Sequence, residues 1–345
     1  MRALITGGAG FIGCNAVKRY LDQGWDVVVI DDLSRKGSDK NLAWLETQVP
    51  KQGGAKFTFH KCDIRDMQQV EAVFREHRGV DAILHLAAQV AVTTSVTNPR
   101  LDFEVNALGT FNVLEATRAH APNAAFLYSS TNKVYGGLEH LHVEERGGRW
   151  QYRDHHSGVA ETETLDFHSP YGCSKGAADQ YVRDYARIYG LRTVCLRQSC
   201  IYGRRQFGVE DQGWVAWFTI ATALGKPLSI YGDGKQVRDV LWIDDLIDCF
   251  TTAIEKIDRV KGGIFNIGGG PHNQMSLHDL LAKLEKLSGK KITPAYEGWR
   301  PGDQRVFVCD ISKAERELGW KPRTSPDAGV EQLHGWVKQN LGLFA

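Results

Sequence analysis

Residues 1–32, MRALITGGAGFIGCNAVKRYLDQGWDVVVIDD, decide the fold. Ala3-Leu4-Ile5 is an apolar run of strand length that enters Gly7-Gly8-Ala9-Gly10-Phe11-Ile12-Gly13. A helical period follows, with Ile12, Ala16 and Tyr20 on one stripe beside Val17 and Leu21. Gly24 stops it, and Trp25 to Ile30 form a second apolar run closed by Asp31-Asp32. Strand, glycine turn, helix, strand and acid is the order a dinucleotide site requires. Gly7 is expected to turn the backbone tightly, Gly10 to let it approach a pyrophosphate, and Gly13 to let the helix pack close to the strand. Phe11 and Ile12 open a helix whose unpaired N–H groups and partial positive charge suit phosphates. Asp31 ends the second strand, where a carboxylate takes both hydroxyls of an adenosine ribose. A 2′-phosphate there would meet its charge, so the expected cofactor is NAD rather than NADP.

Outward from this stretch the alternation continues. Phe57 to Cys62 reads as a strand ending in Asp63-Ile64, and Met67, Val70, Val73 and Phe74 mark a helix. Ala82 to Leu86 is a strand closed by Ala87-Ala88, Asn98-Pro99 opens a long helix carrying Leu101, Val105, Leu108 and Val113, and Ala125 to Tyr128 is the next strand. Strands and helices alternating at this spacing predict an α/β fold, a Rossmann-type doubly wound parallel sheet. Right-handed crossovers place the strand ends on one edge, where ligands bind. Gly137 to His168 is polar and lacks a sustained period, long for a plain connection. A helix resumes at Tyr171 and is followed by the strand Thr193 to Leu196. After Tyr202-Gly203, short strands at Leu228 to Tyr231, Val237 to Leu241 and Ile264 to Ile267 are interleaved with helices near Asp244 to Lys256 and Ser276 to Leu287. This predicts a smaller, mostly C-terminal α/β substrate-binding lobe. The expected division is 1–200 for the NAD-binding domain, with some later segments returning to it, and 201–345 mainly for the second lobe.

The 42 basic and 41 acidic side chains nearly cancel, which gives no reason to expect nucleic acid or an anionic membrane as partner. No apolar run reaches membrane-span length, and the N-terminus already reads as a core strand, so a cytoplasmic protein is expected. Seven cysteines without Cys-x-x-Cys spacing argue against a disulfide framework or a zinc site. Of the 12 histidines, His155-His156 and His140-x-His142 lie in the polar segment without helical ligand spacing, and no metal is expected.

Tyr171 and Lys175 lie one helical turn apart and so on one face. They open the helix that follows the fifth strand, at the sheet edge where a cofactor lies. A free phenol has a pKa near 10. A lysine ammonium and a positive nicotinamide ring both favour the phenolate, so a lowered value is expected. Tyr171 then takes a proton from a sugar hydroxyl while a hydride leaves the same carbon. Ser129-Ser130-Thr131 ends the fifth strand, where a hydroxyl can hydrogen-bond the reacting oxygen.

The glycine turn, Asp63-Ile64, Leu86-Ala87-Ala88, Asn106, Thr131, Tyr171 with Lys175, and Arg238-Asp239-Val240 together resemble the extended short-chain dehydrogenase/reductases, the family of NAD-dependent nucleotide-sugar epimerases and dehydratases. The likeness runs to Arg300 and Asp303. It implies that Asp63 and Ile64 contact adenine and that Leu86, Ala87, Ala88 and Gln89 border the cofactor. Asn106 and Ser129 join the cofactor set, and Lys175 also holds the nicotinamide ribose. Arg238 and Arg300 would grip a diphosphate, a task suited to bidentate guanidinium forks. Asn132, Gln206 and Asp303 complete the implied substrate-binding set, and Trp214 and Trp217 are candidates to line a nucleotide pocket. The 4,6-dehydratases resembling this chain carry Asp-Glu after the Thr; here Asn132 and Lys133 stand there, so dehydration is not expected. Residues 129–136, 168–181, 203–207 and 211–214 resemble the CDP-paratose 2-epimerase subgroup, also called CDP-tyvelose 2-epimerases. That likeness implies inversion at carbon 2 of a CDP-hexose, or of another nucleotide-sugar, by a homodimer or homotetramer. One departure from the wider family is Cys200, at a position usually held by Asn. The alternatives are a 4-epimerase on the same scaffold, a net reductase, and a dinucleotide sensor without catalysis.

Overall fold

The computed structural model describes residues 1–49, 54–300 and 303–344. The chain forms two compact units, each assembled from three stretches. Unit 1 comprises Met1–Val134, Ser169–Arg197 and Ile247–Phe265; unit 2 comprises Tyr135–His168, Gln198–Leu246 and Asn266–Ala345.

A seven-stranded sheet runs in the order Ile264–Ile267, Arg192–Gln198, Ala125–Thr131, Ala82–His85, Arg2–Thr6, Asp26–Asp31, Phe57–Lys61. The five strands from Ala125–Thr131 to Phe57–Lys61 pair in parallel. The chain starts in the middle, winds to the Phe57–Lys61 edge, then returns to lay Ala82–His85 on the other side of Arg2–Thr6. Strand order reverses at that point, and the C-terminal ends of these two strands flank the crevice where such sheets bind ligands. Ile264–Ile267, read in sequence among the strands after Tyr202, is an edge of this large sheet. Both faces of the central strands are covered, so Ala3–Ile5, Val27–Ile30 and Ala82–Leu84 are continuous apolar runs, while the edge strand Phe57–Lys61 alternates and is only half-buried. Leu4, Val28, Ile83 and Phe126 are buried in one core with Val70, Val113 and Val182 from flanking helices.

The helix expected after Asn98-Pro99 is broken into Pro99–Phe103, a wide π turn at Glu104–Leu108, and Gly109–His120. Asn98 caps its start by accepting from the Leu101 N–H. The π turn shifts the period, so Leu108 is exposed while Asn106 is buried.

In unit 2, Val237–Trp242 pairs antiparallel with Gln274–Ser276 and parallel with Val306–Phe307 and Cys200–Tyr202. The polar stretch before His168 contains structure that its lack of period concealed. Val143–Arg146 and Arg149–Tyr152 form an antiparallel hairpin. Gly147 and Gly148 supply its turn with φ of 61° and 76°, a conformation L side chains avoid. The Trp150 indole N–H donates to Asp233, and the Arg305 guanidinium lies 4.3 Å from the Trp150 ring centroid. No described helix is long and apolar enough to cross a membrane.

Candidate active site

The glycine turn is dictated by backbone contact. A Cβ at Gly7, whose φ is 69°, would lie 2.7 Å from the Ala87 nitrogen; one at Gly13 would lie 2.1 Å from the Gly7 carbonyl oxygen. Neither neighbour is a side chain that can swing away. Gly10 precedes the Phe11–Asp22 helix, and neither a capping side chain nor an acid in the first turn occupies the helix N-terminus. That end is therefore fitted to accept an anion. Asp31 is nearly buried and accepts from the Ala9 and Leu33 N–H groups at 3.0 and 2.8 Å. Burial raises its pKa and outweighs those bonds. Asp63 is gripped by the Arg65 fork, which lowers its pKa, while Ile64 is buried against Gly109. These residues fit the adenosine and pyrophosphate half of a dinucleotide.

Behind the crevice, His85 is fully buried. The Thr110 hydroxyl donates to the Asn106 carbonyl at 2.6 Å and so takes the His85 Nε2 proton at 2.9 Å; His85 Nδ1 then accepts from Thr6 at 2.7 Å. The Thr6 oxygen in turn accepts from the Leu86 and Ala87 N–H groups. Burial pushes His85 down to about 3, so it is neutral and this chain of bonds keeps one direction. It ties Leu86 and Ala87 to the first strand. Gln89 is held by a second network. Its N–H donates to Asn106 Oδ1, its amide donates to the fully buried Asp102, and Ser174 donates to the same carboxylate.

Thr131, Tyr171 and Lys175 converge in unit 1. Tyr171 and Lys175 are buried on the Ser169–Tyr189 helix, and the Tyr171 phenol shares a hydrogen bond with the Thr131 hydroxyl. Lys175 Nζ donates to the Ser129 carbonyl at 2.7 Å and lies 4.3 Å from the Tyr128 ring centroid. The expected lowering of the phenol is not found in the protein alone. Burial pushes Tyr171 up to about 12, with the Asp102 charge in the same direction and the Thr131 bond opposing it. Burial also pushes Lys175 down to about 7, against the pull of Asp179 and Asp102. The ammonium is spent on a carbonyl and a ring face, and desolvation outweighs charge. Thr131 also lies 3.3 Å from Asn132 Oδ1.

The strand end is anchored by residues that sequence reasoning passed over. Ser130 donates to Asp179 at 2.6 Å, and Arg197 forks onto the same carboxylate at 2.9 and 3.1 Å, with side-chain exposures of 2% for Arg197 and 0% for Asp179. Asp179 shares its helix with Asp184, Arg183 and Arg187, and Arg197 its strand with Arg192, so nothing in the sequence marks these two as the buried pair.

In unit 2, the Arg238 guanidinium pairs with Asp303 at 2.6 Å and donates to the Gln304 carbonyl. Arg300 pairs with Asp211 at 3.0 Å and stacks on Tyr231 at 4.0 Å; the two residues between Arg300 and Asp303 lie outside the described residues. Gln206 is buried, and its Oε1 has no hydrogen-bond partner among the described residues. A buried amide oxygen left so costs about 1–3 kcal/mol, which a ligand donor would recover. The Trp214 and Trp217 indole N–H groups are likewise without partners there.

A family model described as GDP-mannose 4,6 dehydratase matches residues 4–333. A CDP-paratose 2-epimerase from Salmonella typhi is 46% identical over 342 residues, covering 98% of this chain and 99% of the relative. A UDP-glucose 4-epimerase from Thermus thermophilus, solved in complex with NAD, superposes with a TM-score of 0.79 at 31% identity, over 99% of this chain and 100% of that one. The dTDP-glucose 4,6-dehydratase DesIV from Streptomyces venezuelae, solved with NAD and TYD bound, gives 0.82 at 30% identity, over 99% and 98%.

Proposed function

The chain belongs to the GDP-mannose 4,6 dehydratase family, and from that premise we propose that it is an NAD-dependent nucleotide-sugar epimerase inverting carbon 2 of a CDP-hexose. CDP-paratose to CDP-tyvelose, or a closely related CDP-sugar, is the reaction, through a transient 2-keto sugar. The observation that carries this is the Thr131, Tyr171 and Lys175 trio beside a glycine turn fitted to a dinucleotide, in a chain lacking the Asp-Glu dehydrating pair. Likeness to a CDP-paratose 2-epimerase over nearly its full length supports carbon 2.

NAD, when bound, supplies the hydride acceptor and later the donor. Gly7, Gly10, Phe11, Ile12 and Gly13 take its pyrophosphate, Asp31 the adenosine ribose, and Asp63 and Ile64 the adenine. Leu86, Ala87, Ala88, Gln89, Asn106 and Ser129 border its nicotinamide half. Tyr171 removes the proton from the carbon 2 hydroxyl and returns it, while Thr131 hydrogen-bonds the oxygen as it becomes a carbonyl. Lys175 holds the nicotinamide ribose and favours the phenolate. Arg238 and Arg300 hold the diphosphate, as forks already oriented by Asp303 and Asp211. Asn132 and Gln206 contact the substrate. A firm grip on the diphosphate and a forgiving one on the hexose are what an inverting turn of the sugar requires.

In deuterated water the inverted carbon is expected to stay unlabelled, because its hydride leaves and returns without meeting solvent. Mass spectrometry and NMR of the product from CDP-, UDP- and GDP-sugars read both the label and the inverted carbon. Solvent deuterium at carbon 2 would reject the hidden redox cycle, and inversion at carbon 4 would place the enzyme with its UDP-glucose 4-epimerase relatives.

Asp31→Ser is expected to weaken NAD about tenfold to a hundredfold, since bonds to a charged group contribute about 1.5–3 kcal/mol, and to spare NADP. The ratio of the two affinities, by titration calorimetry, cancels any general damage to the turn; an unchanged ratio removes Asp31 from the ribose. Family membership also carries the expectations of a cytoplasmic location and a homodimer or homotetramer. An apolar stripe on unit 1, including Phe103, Phe111, Tyr181, Ile188 and Tyr189, is exposed and suits such an assembly.

A further inference from the structure

Away from the trio, unit 1 brings together three side chains that the epimerase chemistry does not use. His60 lies in the edge strand Phe57–Lys61, and His77 follows Glu76 at the C-terminal end of the Met67–Glu76 helix. The Nε2 atoms of His60 and His77 are 2.8 Å apart, and Glu76 Oε1 is 3.5 Å from the same His77 nitrogen. The three ligand atoms lie within 4.8 Å of one another. Seventeen positions separate the two histidines, so the fold and not a local spacing joins them.

One ring donating N–H to the other accounts for the 2.8 Å contact but not for the carboxylate beside it. Two imidazole nitrogens and a carboxylate oxygen are the donor set of a borderline divalent ion. Metal–nitrogen bonds of about 2.0–2.1 Å at tetrahedral angles place ligand atoms about 3.3 Å apart. The two distances fall on either side of that value, and all three ligand atoms lie within 4.8 Å of one another, so small adjustments of two part-buried imidazoles and the exposed, freely rotating Glu76 carboxylate bring them to one ion. The helix C-terminus adds partial negative charge where the ion would sit.

We propose that His60, Glu76 and His77 form a site for one divalent transition-metal ion of the zinc class, completed by water, that staples the edge strand to the neighbouring helix. The ion takes no part in the sugar chemistry. It ties down a strand whose outer edge has no strand partner in the sheet order.

The test uses the untagged, NAD-containing protein, stripped with a chelator and dialysed against zinc. Wild type is expected to hold one zinc per chain that His60→Gln and His77→Gln each weaken about tenfold or more, at least the loss seen on disturbing ligand support. Zinc should also raise the melting temperature of wild type and not of either variant. A His155→Gln/His156→Gln control should keep both responses, and all variants should keep epimerase activity, which shows they are folded. Absence of zinc from wild type, or equal zinc and equal thermal response in the variants, would leave an imidazole hydrogen bond and no metal site. Cobalt in place of zinc gives a second readout, since visible bands lost in both variants report ligation directly.

Discussion

Tyr171→Phe is expected to lower turnover by about 10²- to 10⁴-fold, the contribution of a positioned proton-transfer group, with cofactor content and melting temperature nearly unchanged. The substitution removes one oxygen from a buried ring that otherwise still fills its place, and gives up the bond with Thr131. The size of the loss follows from the state of the phenol. With a pKa of about 12 in the protein alone, a phenolate fraction near 10⁻⁴ is available at about pH 8. Productive proton removal therefore requires the ammonium of Lys175 and the positive nicotinamide ring to lower that value once cofactor and sugar are in place. The wild-type rate should rise with pH along a limb well below 12, because a lower pKa in the complex moves deprotonation to lower pH, and Tyr171→Phe should lack that limb. Saturating steady-state rates between about pH 6 and about pH 10 read both predictions. A variant that turns over within a few-fold of wild type would show that another group carries the proton.

Much of this centre was open to the sequence because its residues are fixed by backbone reasons. Gly7 and Gly13 are legible since any Cβ meets main chain there. Tyr171 and Lys175 are legible since one turn of helix aligns them. What stayed hidden depends on tertiary meeting or on burial. Asn106 was named through the family resemblance, but how it turns inward was hidden, since it does so only through a π turn, which a regular α-helical period cannot register. Asp102 gives no periodic signal, yet as a fully buried carboxylate it joins Gln89, Asn106 and Ser174. The raised phenol of the protein alone was not foreseen, because charge proximity is visible in a sequence and desolvation is not. The Gly147-Gly148 turn was in plain sight; its flanking strands are too polar to announce themselves, because one is held by Trp150 rather than by a continuous apolar face.

The largest effect on stability is expected from Arg197→Met. It strands the Asp179 carboxylate in a site with no solvent, and breaking a buried pair from one side costs about 3–5 kcal/mol. Adding Asp179→Leu should restore most of the lost stability, because a buried pair replaced by hydrocarbon is often neutral; the Ser130 hydroxyl and the Gln180 amide are then left to find other partners. Thermal unfolding of the two single variants and the double variant measures this. Activity should follow a different course. Asp179 raises the Lys175 pKa against burial, which nonetheless holds it at about 7 rather than the ordinary 10.5. A lysine lowered on folding binds its proton less tightly in the native state. Its penalty is therefore full below about pH 7 and is relieved as pH rises towards 10.5. Removing Asp179 lowers the native value further and widens that window. Any step that needs the ammonium is then lost at lower pH, so the alkaline side of the double variant's rate profile should move acidward although its fold has recovered. If stability and the pH profile instead recovered together, the buried pair would serve the scaffold alone and Lys175 would take its charge state from elsewhere.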